Sequence, residues 1–456
     1  MKTCTLYRVL GQKKIMACQA IKTFYGHIIY ARDEKKLVEH KTGALSVDEF
    51  GRIYFCGSKE DLQTLVKAGE CRITETIDVG EKLILPGFVD THLHLPQFGQ
   101  TGKYGKHLLG WLETFIFPEE AKFQDEKYAY KISEWFFHEL LKNGTTTANI
   151  FTTIHKQACD AAFEVASKAG IKAIMGKVIM NRNCPDYLVE DSVQAIKGSV
   201  ELMEKWHGHD NNRLLYAFIP RFAPSCTNDL LNSIGEQYKA NPGTYLHTHV
   251  SESSAEVKWV QELFPEAKCY TDVYTKAGLL GANSILAHAI HLNEHDYKAI
   301  CDSDSALAHC PSSNFFLKSG AFPFATAEKK QIRFGLGSDI GAGPQMSLFQ
   351  VMKDAFYIQP DLWIEPAKLF YRATLGGAKA LNLHETTGSL EVGKDADFII
   401  VNPDNKSNIP ANILQKEIDE ILSSLVFLGD DRVVESTFVR GKCVFGASLL
   451  NSLVST

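Results

Sequence analysis

Between Gly87 and about Leu381, eight short apolar runs alternate with stretches of helical period: Phe88 to Leu95, Thr145 to Phe151, Ile171 to Met180, Arg213 to Phe222, Thr244 to Val250, Ser284 to Ile290, Ala306 to Cys310 and Ile332 to Asp339. Alternation of this kind marks repeated βα units and a parallel sheet. Eight of them predict a closed (β/α)8 TIM-like barrel. The flanks read differently. Ala17 to about Leu85 holds short β segments (IKTFYGHIIYA, RIYFCG, KLILPG) between polar turns, and GSLEVGKDADFIIVN and FLGDDRVVESTFVRGKCVF return to that style after a last helix around Pro366 to Leu381. The two chain ends therefore predict one small composite β-sandwich domain, from 1–85 and 385–456, with the barrel over 86–384.

Composition narrows the partners. A net charge of −6 gives no basic footprint for nucleic acid or an anionic membrane, and no apolar stretch approaches the roughly 20 residues that span a bilayer. A small-molecule partner is the expectation. Eleven cysteines without tight spacing fit a reducing compartment better than a disulfide framework, which points to the cytoplasm. Lys2, Arg8, Lys13, Lys14, Lys22 and Arg32 all precede the first acid, Asp33, a pattern compatible with a weak presequence but lacking its Arg and Ser richness.

The chemistry gathers where the apolar runs end. Phe88-Val89-Asp90-Thr91-His92-Leu93-His94 closes the first run with two histidines two residues apart, which share a face of a strand and can chelate one metal. Alone, that pair would be two unrelated histidines. The fifth run ends in His249 followed by Glu252, the sixth in His288 and the eighth in Asp339. A barrel places its catalytic groups at the C-terminal ends of its strands. Four strands aiming His or Asp at one rim are hard to credit as satisfied core side chains. Imidazoles and a carboxylate on one cation leave room for a water whose pKa falls from about 16 toward 7, so hydrolysis follows as the reaction class.

LPGFVDTHLHLPQF (85–98), GTTTANIF (144–151), RFAPSC (221–226), THVSE (248–252), LAH (286–288), HCPSSNFFLKSG (309–320), LGSDIGAG (336–343), ATLGGAKAL (373–381) and GSLEVGKDADFIIV (388–401) resemble, in order and spacing, the metal-dependent amidohydrolase superfamily and, within it, the guanine deaminase family. That resemblance implies one zinc ion per chain on His92, His94, His249 and Asp339. It implies hydrolytic conversion of guanine to xanthine and ammonia by metal-bound hydroxide attacking C2. Glu252 would shuttle protons, His288 would orient the nucleophile, and Asp339 would share in protonating the leaving amine. Gln97, Arg221 and Phe222 would read the purine, in a site to which His94, His249, Glu252 and Asp339 also belong. An Arg fork suits the O6 and N7 acceptors of guanine. The resemblance further implies a pocket-covering helix at Leu108 to Glu119 and a homodimer.

Other residues are read more plainly. Gln97 can be a loop residue, Arg221 can pair a neighbouring acid, and Phe222 can be core; their shared rim and the match of RFAPSC favour binding. His247 shares a face with His249 and reads as barrel filling or support for a ligand. Lys177 is a poor metal-bridging lysine, His309 is a candidate supporting group, and Ser313 and Asn314 shape the rim. Gly335, Gly337, Gly341 and Gly343 form no dinucleotide fingerprint and allow close turns around Asp339. Two readings compete: another ring aminohydrolase acting on a triazine, cytosine or adenosine-like ring, and a barrel that has lost catalysis and serves as a scaffold. A base-flipping nucleic-acid deaminase is disfavoured, because the chain has no C-x-x-C.

Overall fold

A computed structural model describes residues 19–105, 108–404, 408–410 and 412–446. The basic stretch from Lys2 to Lys14 lies outside them. The terminal strands are β1 (Gln19–Asp33), β2 (Lys36–Val47), β3 (Ile53–Ser58) and β4 (Cys71–Pro86) at one end of the chain. At the other end are β14 (Phe398–Val401), β15 (Val434–Val439) and β16 (Lys442–Phe445). Between these groups run β5 (Phe88–His94), β6 (Thr145–Phe151), β7 (Lys172–Gly176), β8 (Val178–Ile179), β9 (Leu214–Pro220), β10 (Tyr245–Val250), β11 (Ser284–His288), β12 (Ala306–His309) and β13 (Phe334–Leu336).

The expected barrel is present: β5-β6-β7-β9-β10-β11-β12-β13 pair in chain order, and every ladder among them is parallel. Its residues are almost all buried, which is why the runs read as continuously apolar rather than alternating. Closure between β13 and β5 comes from bonds around the site: Thr91 Oγ1 donates to Leu336 O (2.9 Å), Ser338 N to Asp90 Oδ1 (3.0 Å) and Asp339 N to His92 O (2.9 Å). The third apolar run is split in two: β7 pairs both β6 and β9, and past Lys177 β8 continues along β9 alone, in the same register.

Both chain ends build the second sheet, as expected. It is continuous and seven-stranded, in the order β16-β15-β14-β4-β1-β2-β3. Its core includes Phe24, Phe398 and Phe438, the last two rings stacked at 4.5 Å. One part of the C-terminal region leaves the sheet: the helix Ile418–Leu428 buries Ile421, Leu422, Leu425 and Val426 in the main core with barrel residues. Among the described residues no helix is long and apolar enough to cross a membrane, and every cysteine is unbridged.

Candidate active site

His92 and His94 lie one β-repeat apart at the end of β5, both buried. His249 is the penultimate residue of β10, opposite Ala287 of β11, and the next pair in that register is Val250 with His288. Asp339 follows β13. The backbone is strained where these strands end: φ is +49° at Ser251, +68° at His288, +51° at Ala289 and +47° at Asp339. Left-handed conformations at non-glycine residues cost about 1–3 kcal/mol each and cluster where a site demands a particular side-chain direction.

Three of the expected ligands, His92, His94 and His249, bring donor atoms within 4.8 Å of one another, and Asp339 groups in the same way with His92, His288 and Cys310. Asp339 Oδ1 stands 3.3 Å from His92 Nε2 and 3.3 Å from His94 Nε2, and His94 Nε2 stands 3.2 Å from His249 Nε2. Two donors bound at about 2.1 Å to one tetrahedral ion lie roughly 3.4 Å apart, so this spacing suits a single cation. Tautomers agree. His249 Nδ1 donates to Arg221 O at 2.6 Å, and His92 Nδ1 meets His247 Nε2 at 2.8 Å. The carbonyl fixes the proton on Nδ1 of His249 and leaves its Nε2 lone pair facing His94, and His247 can accept the corresponding proton from His92. His92 Nε2 is buried with no hydrogen-bond partner among the described residues. Burial lowers the pKa of all three imidazoles, that of His94 to about 3, which keeps them neutral and able to bind metal. Burial opposes ionisation of Asp339, but the adjoining His92 and His94 outweigh it and hold the carboxyl well below its usual range. The residues fit a metal ion.

Glu252 and His288 face this cluster. His288 Nε2 is 3.7 Å from Glu252 Oε2 and 3.7 Å from Asp339 Oδ2, while its Nδ1 donates to Asn314 Oδ1 at 2.9 Å. Burial, reinforced by Glu256 and Asp339, pushes the Glu252 carboxyl well above its ordinary value. A carboxyl raised in this way is suited to take up and pass on a proton. Glu256 accepts from Glu252 N (2.8 Å) and from Tyr270 Oη (2.6 Å), which fixes the turn carrying Glu252.

A pocket opens onto the cluster, lined by Gln97, Arg221, Phe222, Leu108, Trp111 and Ala342 together with His94, His249, Glu252, His288 and Asp339. All the expected site residues line it except His92, which lies beneath. The covering segment is not one regular helix. Leu108–Trp111 and Phe117–Ala121 are α-helical, and Leu112–Ile116 between them is π-helical, with Phe117 N bonded five residues back to Leu112 O. Single π turns recur at functional sites. Arg221 does pair a neighbouring acid, Glu120, through Nη1 at 2.9 and 2.7 Å, and still lines the pocket.

Of the residues read more plainly, His247 supports His92, and Asn314 does more than shape the rim because it holds His288. Lys177 pairs with Glu190 and stays out of the site. His309 stacks on Phe322 at 4.5 Å and neither ring nitrogen has a hydrogen bond among the described residues, so it packs rather than supports. Asp90, which ties β13 to β5, and Glu120 were not singled out in the sequence. Both are carboxylates in or beside matched motifs, and only their buried partners distinguish them.

The sequence model described as the Amidohydrolase family matches residues 83–444. A guanine deaminase of Escherichia coli (strain K12) is 40% identical over 389 residues, covering 83% of this chain and 87% of the relative. One from Dictyostelium discoideum is 34% identical over 444 residues, covering 93% and 98%. The crystal structure of guanine deaminase from C. acetobutylicum with bound guanine in the active site superposes with a TM-score of 0.85 at 32% identity, covering 93% of this chain and 100% of that one. With the family match spanning most of its length and relatives of this identity along nearly all of it, the chain belongs to the amidohydrolase family, among the guanine deaminases.

Proposed function

We propose that this protein hydrolyses guanine to xanthine and ammonia, with one zinc ion per chain held by His92, His94, His249 and Asp339. The observation that carries this reading is the meeting, in one buried pocket, of a metal-fitting cluster, a carboxyl with a raised pKa and an Arg–Gln–Phe set suited to a purine. The guanine bound in the active site of the C. acetobutylicum relative supports the choice of substrate.

Zinc, when bound, acidifies a coordinated water toward neutrality and polarises the bond it attacks. The chain's own residues do the rest. Glu252 takes a proton from the attacking water and delivers it to a ring nitrogen as C2 becomes tetrahedral. His288, held by Asn314 and set between Glu252 and Asp339, orients the nucleophile and stabilises charge on its oxygen. Glu252 and Asp339 are the carriers that protonate the exocyclic amine, so one water is consumed and ammonia leaves. Arg221 donates to the O6 and N7 edge, Gln97 meets the polar edge of the ring, and Phe222 offers a face for it.

The same proposal includes the division into terminal segments 1–85 and 385–456 around a barrel over 86–384, a cytoplasmic enzyme without nucleic-acid partners, and a homodimer. An exposed aromatic patch at Tyr357 and Trp363 is consistent with association, and light scattering on the eluting protein tests it. Ammonia release across guanine, adenine, cytosine, guanosine and a melamine-type ring tests the activity. Guanine should be turned over fastest; preference for another ring favours the rival aminohydrolase, and no release from any ring favours the scaffold. Metal analysis should find about one zinc per chain, and two metals would contradict the mononuclear site.

A further inference from the structure

Adjacent glutamates on the helix Phe117–Ala121 are both buried and have different partners. Glu119 turns away to Lys122 (2.7 Å) and Gln100 (2.6 Å). Glu120, 1% exposed, lies behind the pocket wall and binds the two polar side chains that face the substrate. Both its oxygens accept from Arg221 Nη1, at 2.9 and 2.7 Å, and Oε1 also accepts from Gln97 Nε2 at 3.3 Å. No other guanidinium donor of Arg221 has a hydrogen bond among the described residues, although the side chain is buried. The remaining fork is therefore free for a ligand. Because the Gln97 amide nitrogen is held by Glu120, its oxygen is turned toward Gly341, two residues past Asp339. A Cβ added at Gly341, where φ is +120°, would stand 2.5 Å from Gln97 Oε1.

Resting on the guanine reading above, we infer that Glu120 is a positioning residue that sets substrate preference, aiming the remaining donors of Arg221 at the purine and fixing which way the Gln97 amide faces. A free arginine beside a free amide could satisfy several donor and acceptor patterns. One carboxylate that takes Nη1 from the first and Nε2 from the second leaves a single pattern on offer. Guanine presents an acceptor, O6, to such a donor; 2,6-diaminopurine carries the same C2 amine but places a second amine at C6. The discrimination between these two rings reads Glu120 directly, whereas loose packing would slow both equally.

The test is steady-state ammonia release by the metal-loaded full chain, as wild type, Glu120→Gln and Glu120→Asp, on guanine and on 2,6-diaminopurine, with metal content and circular dichroism measured alongside. For Glu120→Gln, KM for guanine should rise about tenfold with little change in kcat, and the guanine to diaminopurine ratio of kcat/KM should fall at least about tenfold, the scale of one misplaced charged hydrogen bond. Glu120→Asp, which keeps the charge and draws it back by one methylene, should lie between. It carries the same readout should the glutamine variant not fold. Wild-type turnover of guanine with an unaltered ratio in the variants overturns the role of Glu120 and leaves the guanine reading standing. Failure of the wild type to release ammonia from guanine overturns that reading, and this inference with it.

Discussion

At the base of the barrel, where β7 begins, Lys172 is 2% exposed and lies between Asp395 (2.9 Å) and Asp397 (3.0 Å) of the terminal sheet. Arg440 Nε donates to Asp395, its backbone N–H donates to Asp397, and Thr387 donates to Asp397 as well. At the opposite end of the same cylinder, His92, His94, His249, Glu252, His288 and Asp339 are buried to a similar degree, yet their polar atoms face one another at 3.2–3.7 Å, His92 Nε2 has no hydrogen-bond partner among the described residues, and the backbone beneath is strained. Burial of charge does not by itself mark a site, because a fully partnered cluster holds elements together. Convergence of groups on a point that none of them fills, at the expense of backbone comfort, is what separates the rim from the base.

The sharpest way to break that contrast is to remove a proton carrier from the rim without changing its shape. Glu252→Gln should lower kcat for ammonia release by about 10³-fold, the scale of a lost general acid–base group. Metal content should be unchanged, and the melting temperature equal or higher, since a carboxyl that burial penalises has been replaced. Activity within a few-fold of wild type would remove Glu252 from the proton path.

The complementary change at the base should do the reverse. Lys172→Met leaves Asp395 and Asp397 buried with half their compensation, a situation that costs about 3–5 kcal/mol. The urea midpoint should fall accordingly, while kcat and KM of the molecules that remain folded stay at wild-type values. A variant that keeps its stability and loses activity would show that the base belongs to the functional machinery.

Most of the rim was legible because strand geometry is local. Residues two apart share a face, so His92 and His94 could be paired from FVDTHLH alone, and a strand end announces itself where an apolar run stops at His249, His288 or Asp339. Legibility failed where partners are distant in the chain. In FPEE nothing distinguishes Glu119 from Glu120; only the meeting with Arg221, across the barrel, sets one behind the pocket wall, while the other, equally buried, pairs with Gln100 and Lys122. Asp90 sits within FVDTHLH, yet its task, fixing Ser338 beside Asp339, depends on a closure that strand order alone does not convey. The third apolar run reads as unbroken because β7 and β8 are equally buried; at Lys177 the strand loses its pairing with β6 while keeping its register on β9, which hydropathy does not register. The helix Ile418–Leu428 reads as part of the terminal region by position, and its apolar face is instead used by the barrel.

The smallest expected effect sharpens the comparison by pH. Burial alone would raise the Asp395 pKa, but Lys172 and Arg440 outweigh it and hold the carboxyl below its ordinary value. A depressed folded-state pKa means the stabilisation is complete above the unfolded value, near about 3.9, and is lost as pH falls through that value toward the folded one. Asp395→Asn lacks this contribution at every pH. The variant should therefore be less stable than wild type at pH 7. That gap should hold down to about pH 5 and narrow as pH falls through the unfolded value and below it, as the wild-type carboxyl protonates. Urea titrations of both proteins across this range measure it. A gap that stays constant to pH 3 would mean that Asp395 acts through its hydrogen bonds rather than its charge, and the base would then owe its stability to shape more than to the ion pairs that set it apart from the rim.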